Sequence, residues 1–158
     1  MITNKDVNLL SHLRTNARQK VTEISKSTGM PATTIYGRIK VHETSGLVKK
    51  HVALIDFSKL GYTTTSLIAL KVEKEKREQL ENYLSAHPNM NSLYRINYGH
   101  DFLVEMVFEN MSRLQCFLDE TEMKFSVEKP VFFNIINELK KEVFLSRENI
   151  EKDDVDKN

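Results

Sequence analysis

An α+β architecture in two parts follows from three features of the sequence. The first is a split of charge between front and back. The second is a pair of short helical segments joined by a tight turn at Gly29 and Pro31. The third is a back half in which β-branched runs alternate with charged helical segments, in the order strand, helix, strand, strand, helix, strand. Together they predict an N-terminal helix-turn-helix followed by a ferredoxin-like βαββαβ domain. The chain has 158 residues, of which 40% are hydrophobic and 28% charged. This is globular composition with enough length for a core.

The total charge is +1, which by itself argues against a nucleic-acid binder. Its distribution argues the opposite. Residues 1–62 hold 10 Lys and Arg against 4 Asp and Glu, a surplus of six; the remainder holds 13 against 18, a deficit of five. A basic front on an acidic back suggests that the front meets a polyanion. The chain is therefore divided into a basic front domain with its linker (1–62), an acidic back domain (63–148) and a charged tail expected to be disordered (149–158). One cysteine excludes an internal disulfide framework. The start, MITNKDVNLL, lacks the basic region and apolar stretch of a signal peptide, and no apolar run approaches the ~18 residues of a membrane span. The expectation is a cytoplasmic protein with no membrane partner.

In the front half, residues 4–14 predict a helix capped by Asn4, with Val7, Leu10 and Leu13 on one face. Residues 22–28 predict a short second helix, started by Thr22 and stopped by Gly29. Pro31 opens a third helix that runs to about Ser45 and ends at Gly46. Ile35, Ile39 and His42 share its inner face. Leu47-Val48 and Val52–Ile55 read as extended. In a helix-turn-helix the second helix of the pair enters the major groove. The candidate DNA-binding residues are Thr33, Thr34, Tyr36, Gly37, Arg38 and Lys40 on that helix, with Lys49 and Lys50 beyond it. Hydroxyls can bond bases or phosphates, and Arg38 and Lys40 can neutralise phosphate charge. Val41 and Thr44 share the outer face. Gly37 in mid-helix costs roughly 1 kcal/mol relative to Ala; close approach of DNA or packing of a second helix would each account for it.

In the back half, residues 63–72, 91–97, 102–109 and 131–138 read as strands. Residues 74–86 and 111–125 read as helices, the second with Met111, Leu114, Leu118, Thr121 and Phe125 on its inner stripe. Cys116 and Met123 lie opposite that stripe. Helices cover one sheet face, yet apolar residues alternate onto both: Leu67 and Ala69 oppose Ile68 and Leu70, and Phe133 and Ile135 oppose Phe132 and Ile136. The second face needs cover, and a second copy of the chain is the simplest cover.

The segments NKDVNLLSHLRTNARQKVTEIS, GMPATTIYGRIKVHETSGLVKK and YGHDFLVEM are similar to those of Lrp/AsnC (leucine-responsive, feast/famine) transcriptional regulators, over roughly residues 3–145. The resemblance implies a winged helix-turn-helix as the DNA-binding domain (1–62), a ligand-sensing and oligomerisation domain (63–148), double-stranded DNA as partner, homodimers and in many members octamers, and an amino-acid effector bound between sensor domains. It assigns the effector to the turn Tyr98, Gly99, His100, Asp101. Three departures stand out. Pro31 and Ala32 replace the usual Ser-Pro. His42 takes an inward Leu position, where it reads as a hydrogen-bonded structural residue, and Val41 takes a position that is often basic. Tyr98 takes a Gly position, where it would crowd the approach of an amino acid, so a different ligand or none stays open.

No phosphate loop, paired-cysteine motif or HExxH occurs, and the five histidines lack metal-ligand spacing. No catalytic residue, metal or cofactor is expected. Two rival readings remain. His100 beside Asp101 could do acid–base work, and siroheme decarboxylases resemble Lrp/AsnC proteins in fold. An architectural DNA binder without an effector is the other.

Overall fold

The structure, a computed structural model, describes residues 2–146; the tail expected from residue 149 lies outside the described residues. The chain forms two compact units. One comprises residues 2–54 together with 139–146, the other residues 55–138. Residues 55–62, read from the sequence as the end of the front domain, thus group with the second unit. There Asp56 caps a short 3-10 turn, Phe57–Leu60, and the Thr63 hydroxyl donates to the Glu109 carbonyl at 2.7 Å.

The first unit holds α1 (Asn4–Thr15), α2 (Val21–Thr28) and α3 (Ala32–Thr44). Thr3, not Asn4, caps α1. Its hydroxyl accepts from the Asp6 amide while the Asp6 carboxylate takes the Thr3 amide and hydroxyl at 2.8 and 2.6 Å, a reciprocal capping box. Gly29 ends α2 in the left-handed region, φ +68°, which favours glycine. The Ser25 hydroxyl ties the turn by donating to the Met30 carbonyl at 2.6 Å. Pro31 then stands at the N-cap of α3.

Leu9, Ile24, Met30 and Ile35 form the core of this unit, with Leu13, Val21 and Ile39 packed against them. The inward face of α1 differs from the Val7, Leu10, Leu13 face that hydropathy suggests. Those three are half-buried, whereas Asp6, Leu9 and His12 are buried. The reason is polar. Both Asp6 and His12 find partners that permit burial. Gln19 Oε1 takes a hydrogen bond from His12 Nδ1 (2.9 Å), so Nε2 accepts from the Ser27 hydroxyl (2.8 Å). Asp6 accepts from Thr3, from Arg38 Nη1 and, at 3.0 Å, from His42 Nε2. One carboxylate on α1 thereby holds two residues of α3. The returning segment also meets α1: Arg14 pairs with Glu142 at 2.8 Å and donates to the Phe144 carbonyl at 3.1 Å. Beyond α3, the stretches read as extended form no strand between Leu47 and Asp56.

The second unit holds β1 (Thr64–Leu70), α4 (Arg77–Ala86), β2 (Met90–Arg95), β3 (Phe102–Phe108), α5 (Met111–Phe125) and β4 (Val131–Asn134). The antiparallel sheet has the order β2-β3-β1-β4. Alternation sends Ile68, Leu70, Phe102, Val104, Met106 and Phe108 under the helices. There they pack with Leu80 and Leu84 of α4 and Leu114, Phe117, Leu118 and Phe125 of α5. Met111, expected on the inner stripe, is half exposed, and Phe117 is buried instead. Phe117 lies against Phe108, Tyr83 and His87. The fourth strand ends at Asn134, four residues before its expected end, where the Asn134 carboxamide accepts from Ser66. No helix among the described residues is long and apolar enough to cross a membrane.

The opposite sheet face is mostly apolar and partly open: Glu105 lies on it opposite Leu67, and Ala69, Glu105 and Val107 are buried. Tyr94, Val131 and Phe133 are 55%, 41% and 63% exposed, and Leu67 and Leu103 beside them are half-buried.

The hydrogen bonds from Thr3, then Arg38 and His42, hold the Asp6 carboxyl well below its ordinary value of 3.8. A depressed folded-state pKa contributes stability that is complete above the ordinary value and is lost as pH falls below it. Asp6→Asn should therefore lower the unfolding midpoint near neutrality and flatten its decline between about pH 5 and about pH 2. Thr3→Ala should cost about 1 kcal/mol through the lost cap. Chemical denaturation across pH checks both.

Candidate nucleic-acid interface and sensor turn

The face of α3 that points away from the core follows from helical spacing. Ile35, Ile39 and His42 (i, i+4, i+7) face inward. Thr33, Gly37, Lys40 and Thr44 (i, i+4, i+7, i+11) therefore face outward, with Tyr36 and Val41 at their flanks. All six are exposed, Tyr36 by 69% and Val41 by 62%. Thr34 is exposed as well, and so are Lys49 and Lys50 in the irregular segment after the helix. Thus Thr33, Thr34, Tyr36, Gly37 and Lys40 come together on one accessible surface.

Arg38 departs from its expected role as a phosphate ligand. Its side chain is 33% exposed and its guanidinium is paired with Asp6. It seats the helix from inside. His42 does the same from one turn further on, and the structural reading of that residue holds: its ring is buried against Asp6. Asp6 itself was missed as a contributor to the site. The signal for it was local, a Thr followed three residues later by an acid at a helix start.

The second candidate region is the β2–β3 connection. Tyr98 and Gly99 both have positive φ, +64° and +85°, and the Ile96 amide donates to the Asp101 carbonyl at 3.0 Å. Tyr98 is almost fully exposed, so its ring projects outward instead of folding over the turn. Asp101 is committed to the fold. One oxygen accepts from the Val72 amide at 3.0 Å and the other pairs with Arg77 Nη2 at 2.7 Å. Its own amide donates to the Leu70 carbonyl at 2.9 Å. The carboxylate that an acid–base pair with His100 would need is thus occupied by β1 and α4. His100 instead lines an open hollow of about 520 Å³ with Lys71, Glu128 and Lys129, across which Lys71 and Glu128 pair at 2.6 Å.

No family model matches the chain. The helix-turn-helix transcriptional regulator FL11 of Pyrococcus horikoshii is 32% identical over 114 residues, which cover 72% of this chain and 76% of that regulator. Among solved structures, a transcriptional regulator of Neisseria meningitidis in complex with L-methionine superposes with a TM-score of 0.82 at 20% identity, covering 89% of this chain and 94% of that one. Bacillus subtilis LrpC superposes with a TM-score of 0.80 at 19% identity, covering 89% and 99%. The structural likenesses establish a shared fold, a helical N-terminal unit joined to a βαββαβ sheet, and the identity to FL11 carries the relationship beyond fold: the chain belongs to the Lrp/AsnC family of helix-turn-helix transcriptional regulators.

Proposed function

We propose that this regulator works as a homodimer, or as a larger assembly of such dimers up to an octamer, whose α3 helices enter successive major grooves of double-stranded DNA. A small effector beside the 98–101 turn modulates that assembly. The observation that carries the DNA reading is the outer face of α3: Thr33, Thr34, Tyr36 and Lys40 stand exposed together while the inner side of the same helix is locked to Asp6 and the core. Lys49 and Lys50 extend the positive surface toward the phosphates. In this reading residues 1–62 serve DNA contact and residues 63–148 serve sensing and assembly, and the protein acts in the cytoplasm.

The dimer reading rests on the open sheet face. A patch containing Tyr94, Val131 and Phe133 faces water in a lone chain, and a second copy of the same face is its natural complement. Charges of both signs around the hollow, Lys71 and Lys129 with Glu128, suit a zwitterionic amino acid, and the Neisseria meningitidis neighbour is a complex with L-methionine.

Lys40→Ala should weaken binding to duplex DNA across sequences and reduce the slope of log K against log salt by about 0.9, the share of one phosphate. Arg38→Ala should instead lower thermal stability; titrations by fluorescence anisotropy at several salt concentrations, paired with melting curves, separate the two. The wild-type chain should run in light scattering at twice its 18.4 kDa or a multiple of that, and Phe133→Glu should run as a monomer. A panel of amino acids tested by thermal shift should contain one that, at ~100-fold over its Kd, stabilises the protein by about 2.7 kcal/mol, with the gain lost in Lys129→Ala. A panel that leaves the midpoint unmoved would point to an effector-free architectural DNA binder.

A further inference from the structure

We infer that Gly37 and Val41 are specificity-determining residues, reading the C5-methyl groups of thymine in the major groove. This deepens the DNA-binding reading above and rests on it. The argument begins with what Gly37 does not do. It sits in mid-helix, where glycine is the poorest choice after proline. Its backbone is not in the left-handed region, so no turn requires it. A Cβ built at Gly37 would meet nothing within 4 Å among the described residues, so packing inside the unit does not require it either. Of the two explanations that the sequence allows, approach by an outside partner is the one left. Its neighbours say what that partner is, because Thr33, Lys40 and Thr44 share its face and belong to the helix that enters the groove.

The chemistry of the outer face narrows the reading. Bidentate recognition of adenine uses Asn or Gln, and of guanine most often Arg. Residues 32–44 contain no Asn or Gln, and their one Arg is turned onto Asp6. Lys40 and the Tyr36 hydroxyl are the long donors left exposed on this helix, and neither has the planar two-point geometry that singles out adenine or guanine. Val41, one turn from Gly37, is 62% exposed and has no polar atom to offer a base edge. The Thr44 hydroxyl is spent on the Lys40 carbonyl at 2.9 Å. The exposed hydroxyls of Thr33 and Thr34 can bond either kind of base edge and so discriminate little; the discrimination left to this face is of the one apolar group in the major groove, the thymine methyl. Gly37 leaves the helix surface open where a Cβ would stand, and Val41 is exposed one turn further along the same side.

The test uses the full chain and duplexes enriched by it from a random pool, with protected thymines mapped. Each duplex is remade with deoxyuridine at those thymines, which removes the methyl and leaves base pairing and the O4 acceptor intact. Wild-type affinity should fall about fourfold for each thymine that meets Gly37 or Val41, the effect of losing one buried methyl group. Gly37→Ala should melt no lower than wild type, since alanine favours the helix. It should nevertheless bind the thymine duplex about tenfold more weakly, on the scale of one mismatched base pair, because its Cβ occupies the space of the methyl. On the deoxyuridine duplex that loss should disappear, so the variant inverts the preference. Wild-type indifference to deoxyuridine, or losses that merely add when both changes are combined, would overturn the methyl readout and leave DNA binding standing. Failure to enrich any duplex would overturn the DNA-binding reading and this inference with it.

Discussion

The carboxylate of Asp6 is the point on which the first unit turns. It caps α1 through Thr3, and it accepts from Arg38 and His42 on α3. A buried acid is costly unless every lone pair is used, and here three residues from two helices use them. The arrangement does more than cancel a charge. The apolar core of this unit is small, four buried residues with three more packed against it, and apolar contacts alone are non-directional. Arg38 and His42 lie one helical turn apart, so their bonds to one carboxylate fix the rotation of α3 about its axis, and that rotation decides which residues face outward.

The second unit solves a parallel problem with a second aspartate. Asp101 joins the end of β1 to the start of α4 through Val72 and Arg77, so the hairpin turn that carries Tyr98 and Gly99 is anchored at its base while its tip stands clear. The two units share a design in which an acidic side chain is consumed by the scaffold so that neighbouring residues can be presented. Charge distribution works to the same end. The acidic surplus of the back half repels a polyanion, and the basic surplus of the front half attracts it.

Much of this was legible in the sequence because periodicity and punctuation report local physics. Gly29 and Pro31 mark the turn between α2 and α3, and the alternation through residues 64–70 and 102–108 gives both sheet faces. The bounds of α5 at Met111 and Phe125 follow from the helical stripe, and the structure adds the Asn110 side chain as its cap, accepting from the Arg113 amide. What was not legible depends on partners distant in the chain. Asp6 and Arg38 are 32 positions apart, and each alone looks like a solvent-facing charge. Hydropathy put Val7 and Leu10 inside α1 because it cannot credit a buried Asp or His with its hydrogen bonds. The last strand was read too long because the apolar run through Ile136 continues past the point where pairing with β1 ends. His42 was read correctly as structural because a buried imidazole at an inward helical position needs a hydrogen-bond partner inside the fold, and Asp6 supplies it.

The outer and inner faces of α3 are energetically linked. A helix with glycine at its middle gives up roughly 1 kcal/mol against alanine, and its first turn carries no acidic residue or side-chain cap to offset this. Intrinsic propensity is therefore a poor account of why α3 is a helix. Burial of Ile35 and the bonds of Arg38 and His42 to Asp6 are the better account, since most helical stability in proteins comes from the packed face. A helix secured from its inner side is free to carry residues on its outer side that do nothing for its own stability. Thr33, Gly37, Val41 and Thr44 are residues of that kind, β-branched or glycine, and weak helix formers all. Their presence at the outward positions is best explained by what the helix meets, and Asp6, which does not share that outer face, is what makes their use there possible.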